Sequence, residues 1–344
     1  MKRISVVLAA AVVLAGCGPS SPSATPDWSS NNPSPDATPQ ASTTLGPIPT
    51  IDSEAPAPEE TVKLIFIHHS TGENWLGDES GGLGLALADN NYFVSDTYYG
   101  WGPEDSLLGS VIGDNTDIGH WWNWFLGPSR DTIMDAVYSE SGQATSYSRL
   151  ADDPGGENEI VMFKSCFPNS NIEGSPNDPP TAGHNPLEGA GTDNLTVGTA
   201  KALYLDLLEY FGAHTDKLFV AITAPPEFAG NTDPGAAANA RGFNSWLVED
   251  WLDDYPHSNV AVFDFYNVLS SNGGDPYTND LGATGGNHHR YLDGQIEYVT
   301  NQGKNTSAYA VEGDSHPTYE GNYKATGEFV PMLNLFYLRW QDGE

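Results

Sequence analysis

The stretch Val62-Lys63-Leu64-Ile65-Phe66-Ile67-His68-His69-Ser70-Thr71-Gly72 opens as a nearly unbroken apolar run and stops abruptly on polar residues and a glycine. Continuous apolar character, rather than strict alternation, is what a strand shows when both faces of its sheet are covered. Four further runs of the same kind follow at wide spacings, over 93–99, 159–163, 218–223 and 260–265. Between the later ones, Leu203, Leu207, Leu208 and Phe211 recur at helical offsets, and so do Phe243, Trp246, Leu247 and Trp251. These spacings predict helices over 199–211 and 236–254. A last helix is predicted over 319–340, kinked or split at Pro331. Strand then helix, repeated, implies a right-handed α/β wind around a parallel sheet of about five strands.

In such a sheet the reactive loops gather beyond the carboxyl ends of the strands. Ser70 follows the first strand, Gly100 the second, Ser165-Cys166-Phe167-Pro168-Asn169-Ser170-Asn171 the third, and Pro225-Pro226 the fourth. Near the other end of the chain, Glu312-Gly313-Asp314-Ser315-His316-Pro317-Thr318 offers an acid and a histidine in one loop. A serine hydroxyl becomes a useful nucleophile only when a neutral imidazole takes its proton, and a carboxylate can fix that imidazole's tautomer. The two segments together therefore point to hydrolase chemistry.

Those features resemble the SGNH/GDSL hydrolase superfamily: a serine after the first strand, a glycine after the second, an asparagine-bearing turn after the third, and a closing Asp and His before a C-terminal helix. The resemblance spans about 62–340, interrupted by two long insertions. It implies a flavodoxin-like three-layer αβα sandwich with esterase or deacylase chemistry and no cofactor or metal. Ser70 resembles the nucleophile, His316 the base and Asp314 its orienter. The oxyanion hole would be the backbone N–H groups of Ser70 and Gly100 with Asn169, or alternatively Asn171. Fixed donors of this kind are worth roughly 3–4 kcal/mol each. The chain departs from the family pattern at His68-His69-Ser70-Thr71, where Gly-Asp-Ser-Leu is usual and where Thr71 is a second hydroxyl. It departs again at Gly313, which occupies the usual place of the acid, with Glu312 as a further carboxylate.

The ends of the chain read differently. Met1-Lys2-Arg3, an apolar stretch over 4–15 and Leu14-Ala15-Gly16-Cys17 resemble a bacterial lipoprotein signal, with Cys17 as the lipidated residue. Residues 18–61 are rich in Pro, Ser, Thr, Ala and Asn, a composition too poor in apolar groups to offset the entropy of ordering, and read as a disordered tether. The expected organisation is thus a signal at 1–17, a tether at 18–61 and a hydrolase domain at 62–344, anchored outside the cytoplasm by lipid alone. With Cys17 lipidated, Cys166 has no disulfide partner.

Acidic residues outnumber basic ones 46 to 13, giving a formal charge of −33 and disfavouring nucleic acid as a partner. The acidic run over 152–159 lacks EF-hand spacing, so a calcium role for it is weak. In the first insertion, Trp101 and His120-Trp121-Trp122-Asn123-Trp124 offer either a wall for stacking sugar rings or a local core. His68 and His69 read as packing or hydrogen-bonding residues beside the serine, and adjacent His288 and His289 would share a metal only at a turn. The sequence has neither a Gly-x-Ser-x-Gly elbow nor His-Glu-x-x-His. The resulting expectation is an exported esterase removing acetyl or other short acyl groups from carbohydrate. Alternatives are a polysaccharide O-acyltransferase, a non-catalytic glycan-binding lipoprotein on the same scaffold, or a thiol nucleophile at Cys166.

Overall fold

The computed structural model describes residues 55–183, 195–270, 288–292, 295–300 and 302–343. The expected signal segment, Cys17 and most of the tether lie outside them. The chain begins with β1 (Val62–Ile67), α1 (Ser70–Leu76), α2 (Leu83–Ala88) and β2 (Tyr92–Thr97). The first insertion forms a small hairpin of β3 (Glu104–Asp105) and β4 (Ser110–Val111), then α3 (Trp121–Phe125) and α4 (Arg130–Ser139). The winding resumes with β5 (Ile160–Lys164), α5 (Val197–Ala213), β6 (Leu218–Ile222), α6 (Pro234–Glu249), β7 (Val260–Phe263) and α7 (Phe265–Ser270). A second hairpin, β8 (His289–Leu292) with β9 (Gln295–Tyr298), precedes α8 (Tyr319–Asp342).

Five strands form one parallel sheet in the order β2-β1-β5-β6-β7. The runs read from sequence are its strands, and their lack of alternation has the anticipated cause. Ile65, Ile67, Val161, Phe163, Phe219 and Ala221 pack on one face with side chains of α3, α4, α5 and α6. Leu64, Phe66, Val94, Met162, Val220 and Ile222 pack on the other with those of α1, α2, α7 and α8. Successive residues of a strand point to opposite faces, so each strand feeds both cores and must be apolar throughout.

The chain steps outward from β1 to β2 and then returns across β1 to β5. Strand order reverses at this point, which in open α/β sheets is where ligand-binding loops gather beyond the carboxyl ends of the strands. Ser70 leaves β1 there, and Cys166 leaves β5 beside it. The split expected at Pro331 is not seen: α8 runs as one helix through it. Its buried face, including Phe329, Val330, Leu333 and Phe336, packs in the second core, and this tertiary packing outweighs the lost backbone bond.

Candidate active site

Ser70 is the first residue of α1, three residues beyond the end of β1. The turn between them is braced by both histidines. His68 is buried, with Nε2 3.2 Å from Asp96 Oδ2 and Nδ1 2.9 Å from the His69 carbonyl oxygen. Asp96, at the end of β2, also accepts from Thr145 and from the Tyr147 hydroxyl, so it ties the first insertion to this turn. His69 Nε2 donates to the Gly113 carbonyl at 2.7 Å, and its ring stacks on Tyr99 with centroids 3.8 Å apart. Burial pulls His69 down to about 4, which keeps it neutral at pH 7. Gly72 is required where α1 passes this turn, because a Cβ there would lie 2.3 Å from His68 Cβ. The N–H groups of Gly72 and Glu73 both go to the His69 carbonyl, while those of Ser70 and Thr71 precede any intrahelical acceptor.

Two residues from the far end of the chain complete a relay. His316 Nε2 accepts from the Ser70 hydroxyl at 2.8 Å across a sequence separation of 246. His316 Nδ1 donates to Asp314 Oδ1 at 2.7 Å, and the same oxygen accepts the His316 backbone N–H at 2.9 Å. Burial pushes the Asp314 carboxyl up, but the backbone and ring N–H groups of His316 outweigh it and hold the group below its ordinary value. An ionised carboxylate at Nδ1 assigns the proton to that nitrogen and leaves Nε2 a lone pair facing the serine. Gly313, three residues before His316, has φ +85°, a left-handed conformation that favours glycine. Glu312 is exposed, and the carboxylate on the imidazole is that of Asp314.

The loop after β5 closes the other side. Phe167 presents its ring edge-on to His316 at 5.0 Å. Cys166 Sγ lies 3.7 Å from Ser70 Oγ and 3.3 Å from Thr71 Oγ1. Thr71 is fully buried and also accepts from Lys164 Nζ, so the hydroxyl on His316 is that of Ser70. Lys164 was not singled out by the sequence reading. Its signal was a lone cation at the end of the apolar run of β5, and it is 1% exposed.

The oxyanion candidates are placed near this edge but carry other bonds. The Gly100 N–H donates to Asp114 Oδ1 at 2.7 Å. Asn169 accepts the Ile118 N–H at 2.7 Å and donates to Asp117 Oδ1 at 2.7 Å and to the Cys166 carbonyl at 3.3 Å. Asn171 is exposed. Of the tryptophans, Trp121 is fully buried in the first core, with Nε1 donating to Ser165 Oγ at 3.0 Å, which leaves no ring face for a sugar. Trp101 and Trp122 are half-buried and pack against that core, Trp101 stacking on Trp124 and donating to Glu140 Oε2 at 2.6 Å. The exposed aromatic ring nearest the nucleophile turn is instead Tyr99, stacked on His69.

Several of the remaining charged groups named from sequence have partners. Asp153 pairs with Lys63 at 3.3 Å and Glu157 with Lys217 at 2.7 Å, so the acidic loop serves to pair lysines. His288 and His289 share the carboxylate of Glu328 on α8. Among the described residues, no helix is long and apolar enough to cross a membrane. No family model, no curated protein and no solved structure matches this chain.

Proposed function

We propose that the protein is a serine ester hydrolase of the SGNH/GDSL type, removing acetyl or other short acyl groups from carbohydrate outside the cytoplasm while held to a membrane through Cys17. The observation that carries this reading is the relay Ser70 Oγ to His316 Nε2 at 2.8 Å and His316 Nδ1 to Asp314 at 2.7 Å, at the switch point of a parallel sheet. Ser70 Oγ attacks the ester carbonyl as His316 takes its proton. The tetrahedral intermediate collapses to an acyl-serine, and His316 returns the proton to the departing alkoxide. Water, activated by the same imidazole, then releases the acid. The first-turn N–H groups of Ser70 and Thr71, which precede any intrahelical acceptor, would supply donors to the developing oxyanion. The carbohydrate assignment draws on the exposed Tyr99 ring beside the nucleophile turn, since aromatic faces pack on the apolar faces of sugars.

Hydrolysis of p-nitrophenyl acetate by the wild type, Ser70→Ala and His316→Ala tests the reading. Both variants should fall at least about a thousandfold in kcat/KM. Equal rates from all three proteins would overturn it. A second reading, glycan binding without catalysis, is favoured by one observation: the Gly100 and Asn169 donors are taken by Asp114 and Asp117. Sugar binding unaccompanied by ester cleavage would decide for it.

A further inference from the structure

We propose that Lys164 is a positioning residue of the Ser70 site: acting through Thr71 and Cys166, its buried ammonium aligns the hydroxyl and thiol protons so that the Ser70 O–H points at His316. This inference rests on the ester-hydrolase reading and adds to it a residue that touches no substrate.

The argument starts from what each group can donate. An ammonium has three protons and no lone pair, so it can only donate. Lys164 Nζ donates to Thr71 Oγ1 and, at 3.4 Å, to the Ser165 carbonyl. With one lone pair of Thr71 held by the lysine, the single proton of its hydroxyl is directed at Cys166 Sγ, 3.3 Å away. The thiol proton is then turned toward Ser70 Oγ, a long contact of 3.7 Å. Ser70 receives on that side, and its own proton goes to His316 Nε2 at 2.8 Å, the direction that general-base catalysis requires. His316 passes the same polarity on to Asp314 at 2.7 Å. The chain therefore runs from a donor-only cation to an acceptor-only carboxylate, with the nucleophile between them, and neighbouring bonds in such a chain polarise one another.

No ion pair among the described residues offsets the burial of Lys164, which lies in the strand layer at 1% exposure. Burial pulls the amine down to about 8, so it remains largely charged at neutral pH. An aliphatic side chain would fill the same space without that desolvation, as replacements of buried charges show in other proteins.

The test uses the folded domain with its N-terminal segment and p-nitrophenyl acetate as probe, measuring kcat and KM for the wild type, Ser70→Ala, Lys164→Met, Thr71→Val and Thr71→Ser. Lys164→Met and Thr71→Val should each lower kcat about tenfold or more with KM within about twofold, because alignment of the nucleophile, not substrate binding, is lost. Thr71→Ser keeps the hydroxyl and should recover most of the wild-type kcat, which a purely packing role for the threonine methyl would not allow. Should Lys164→Met fail to fold, the Thr71 pair decides alone. Wild-type kcat in Lys164→Met, or equal losses in Thr71→Val and Thr71→Ser, would overturn the proposal while leaving the hydrolase reading intact. A wild type no faster than Ser70→Ala would end both.

Discussion

Ser315 Oγ donates to Glu227 Oε2 at 2.5 Å, so the residue between Asp314 and His316 is fastened to a buried carboxylate from the loop after β6. The same hydroxyl accepts from the Phe228 N–H at 3.0 Å and the Asn231 amide at 3.1 Å. The loop bearing the imidazole is thus held at its centre, where a small displacement would move Nε2 away from Ser70. Ser315→Ala should lower kcat/KM about tenfold and cost about 1–3 kcal/mol of stability by leaving buried polar groups unpaired. Kinetics alongside chemical denaturation check this. Unchanged kinetics with a stability loss would confine Ser315 to the fold.

Asp314→Asn separates the orienting carboxylate from its exposed neighbour Glu312. An amide at Nδ1 no longer enforces the Nδ1–H tautomer, so the Ser70 hydroxyl can lose its acceptor. The expected fall in kcat is on the order of a thousandfold or more, with Glu312→Gln near wild type. The reverse pattern would transfer the orienting role to Glu312. Because Asp314 is held below its ordinary value of 3.8, it stays ionised above that pH, and its contribution to stability is lost only as pH falls through the lower folded value. An acid limb in kcat/KM at higher pH therefore reports another group.

How much of this was legible depends on whether the determining partner lies nearby in sequence. The β1 run could be read because both its faces are covered, and that condition is printed in consecutive residues. Ser70 and His316 could be read because strand end and helix start bracket them locally. The occupation of Asn169 could not, since it depends on Asp117 and Ile118, which reach it only through the folded insertion. The burial of Trp121 likewise depends on Phe163 and Ser165. Lys164 looked like a polar strand end, and nothing local shows that Thr71 on α1 covers it.

Lys164 also makes a prediction about stability. Its folded value of about 8 lies below the ordinary 10.5, so between these values the unfolded chain binds more protons and stability rises with pH. Below about 8 the full cost of the buried charge is present, on the order of 3 kcal/mol for that displacement. Lys164→Met should therefore be more stable than the wild type at pH 7, and the gap should narrow as pH rises toward 10.5. Denaturant midpoints at pH 7 and 10 measure this. A variant less stable than the wild type at pH 7 would contradict it. Gained stability with lost activity is the expected trade at a functional position that carries a buried charge.

Glu328 ties the β8–β9 hairpin to α8 without touching the relay. Its Oε1 accepts from His288 Nδ1 at 2.9 Å, and its Oε2 accepts the His288 N–H at 2.8 Å and His289 Nδ1 at 3.1 Å. His289 Nε2 in turn accepts the Asp264 N–H at 2.9 Å, which assigns its ring proton to Nδ1. Burial pushes the Glu328 carboxyl up, but His288 and His289 outweigh it and hold the group far below its ordinary value of 4.5. Its stabilisation is therefore fully present above 4.5 and is lost as pH falls through the lower folded value. Glu328→Gln removes one acceptor oxygen and should cost about 1–3 kcal/mol at pH 7 by leaving an imidazole N–H unpaired. Its kcat on p-nitrophenyl acetate should stay within about twofold of wild type, since the bonds described for Glu328, His288 and His289 run to one another and to Asp264, not to Ser70. Thermal melts from pH 7 downward should show the gap between the two proteins closing only below 4.5. A gap that stays constant into strong acid would show that the carboxylate's charge is not what holds the hairpin.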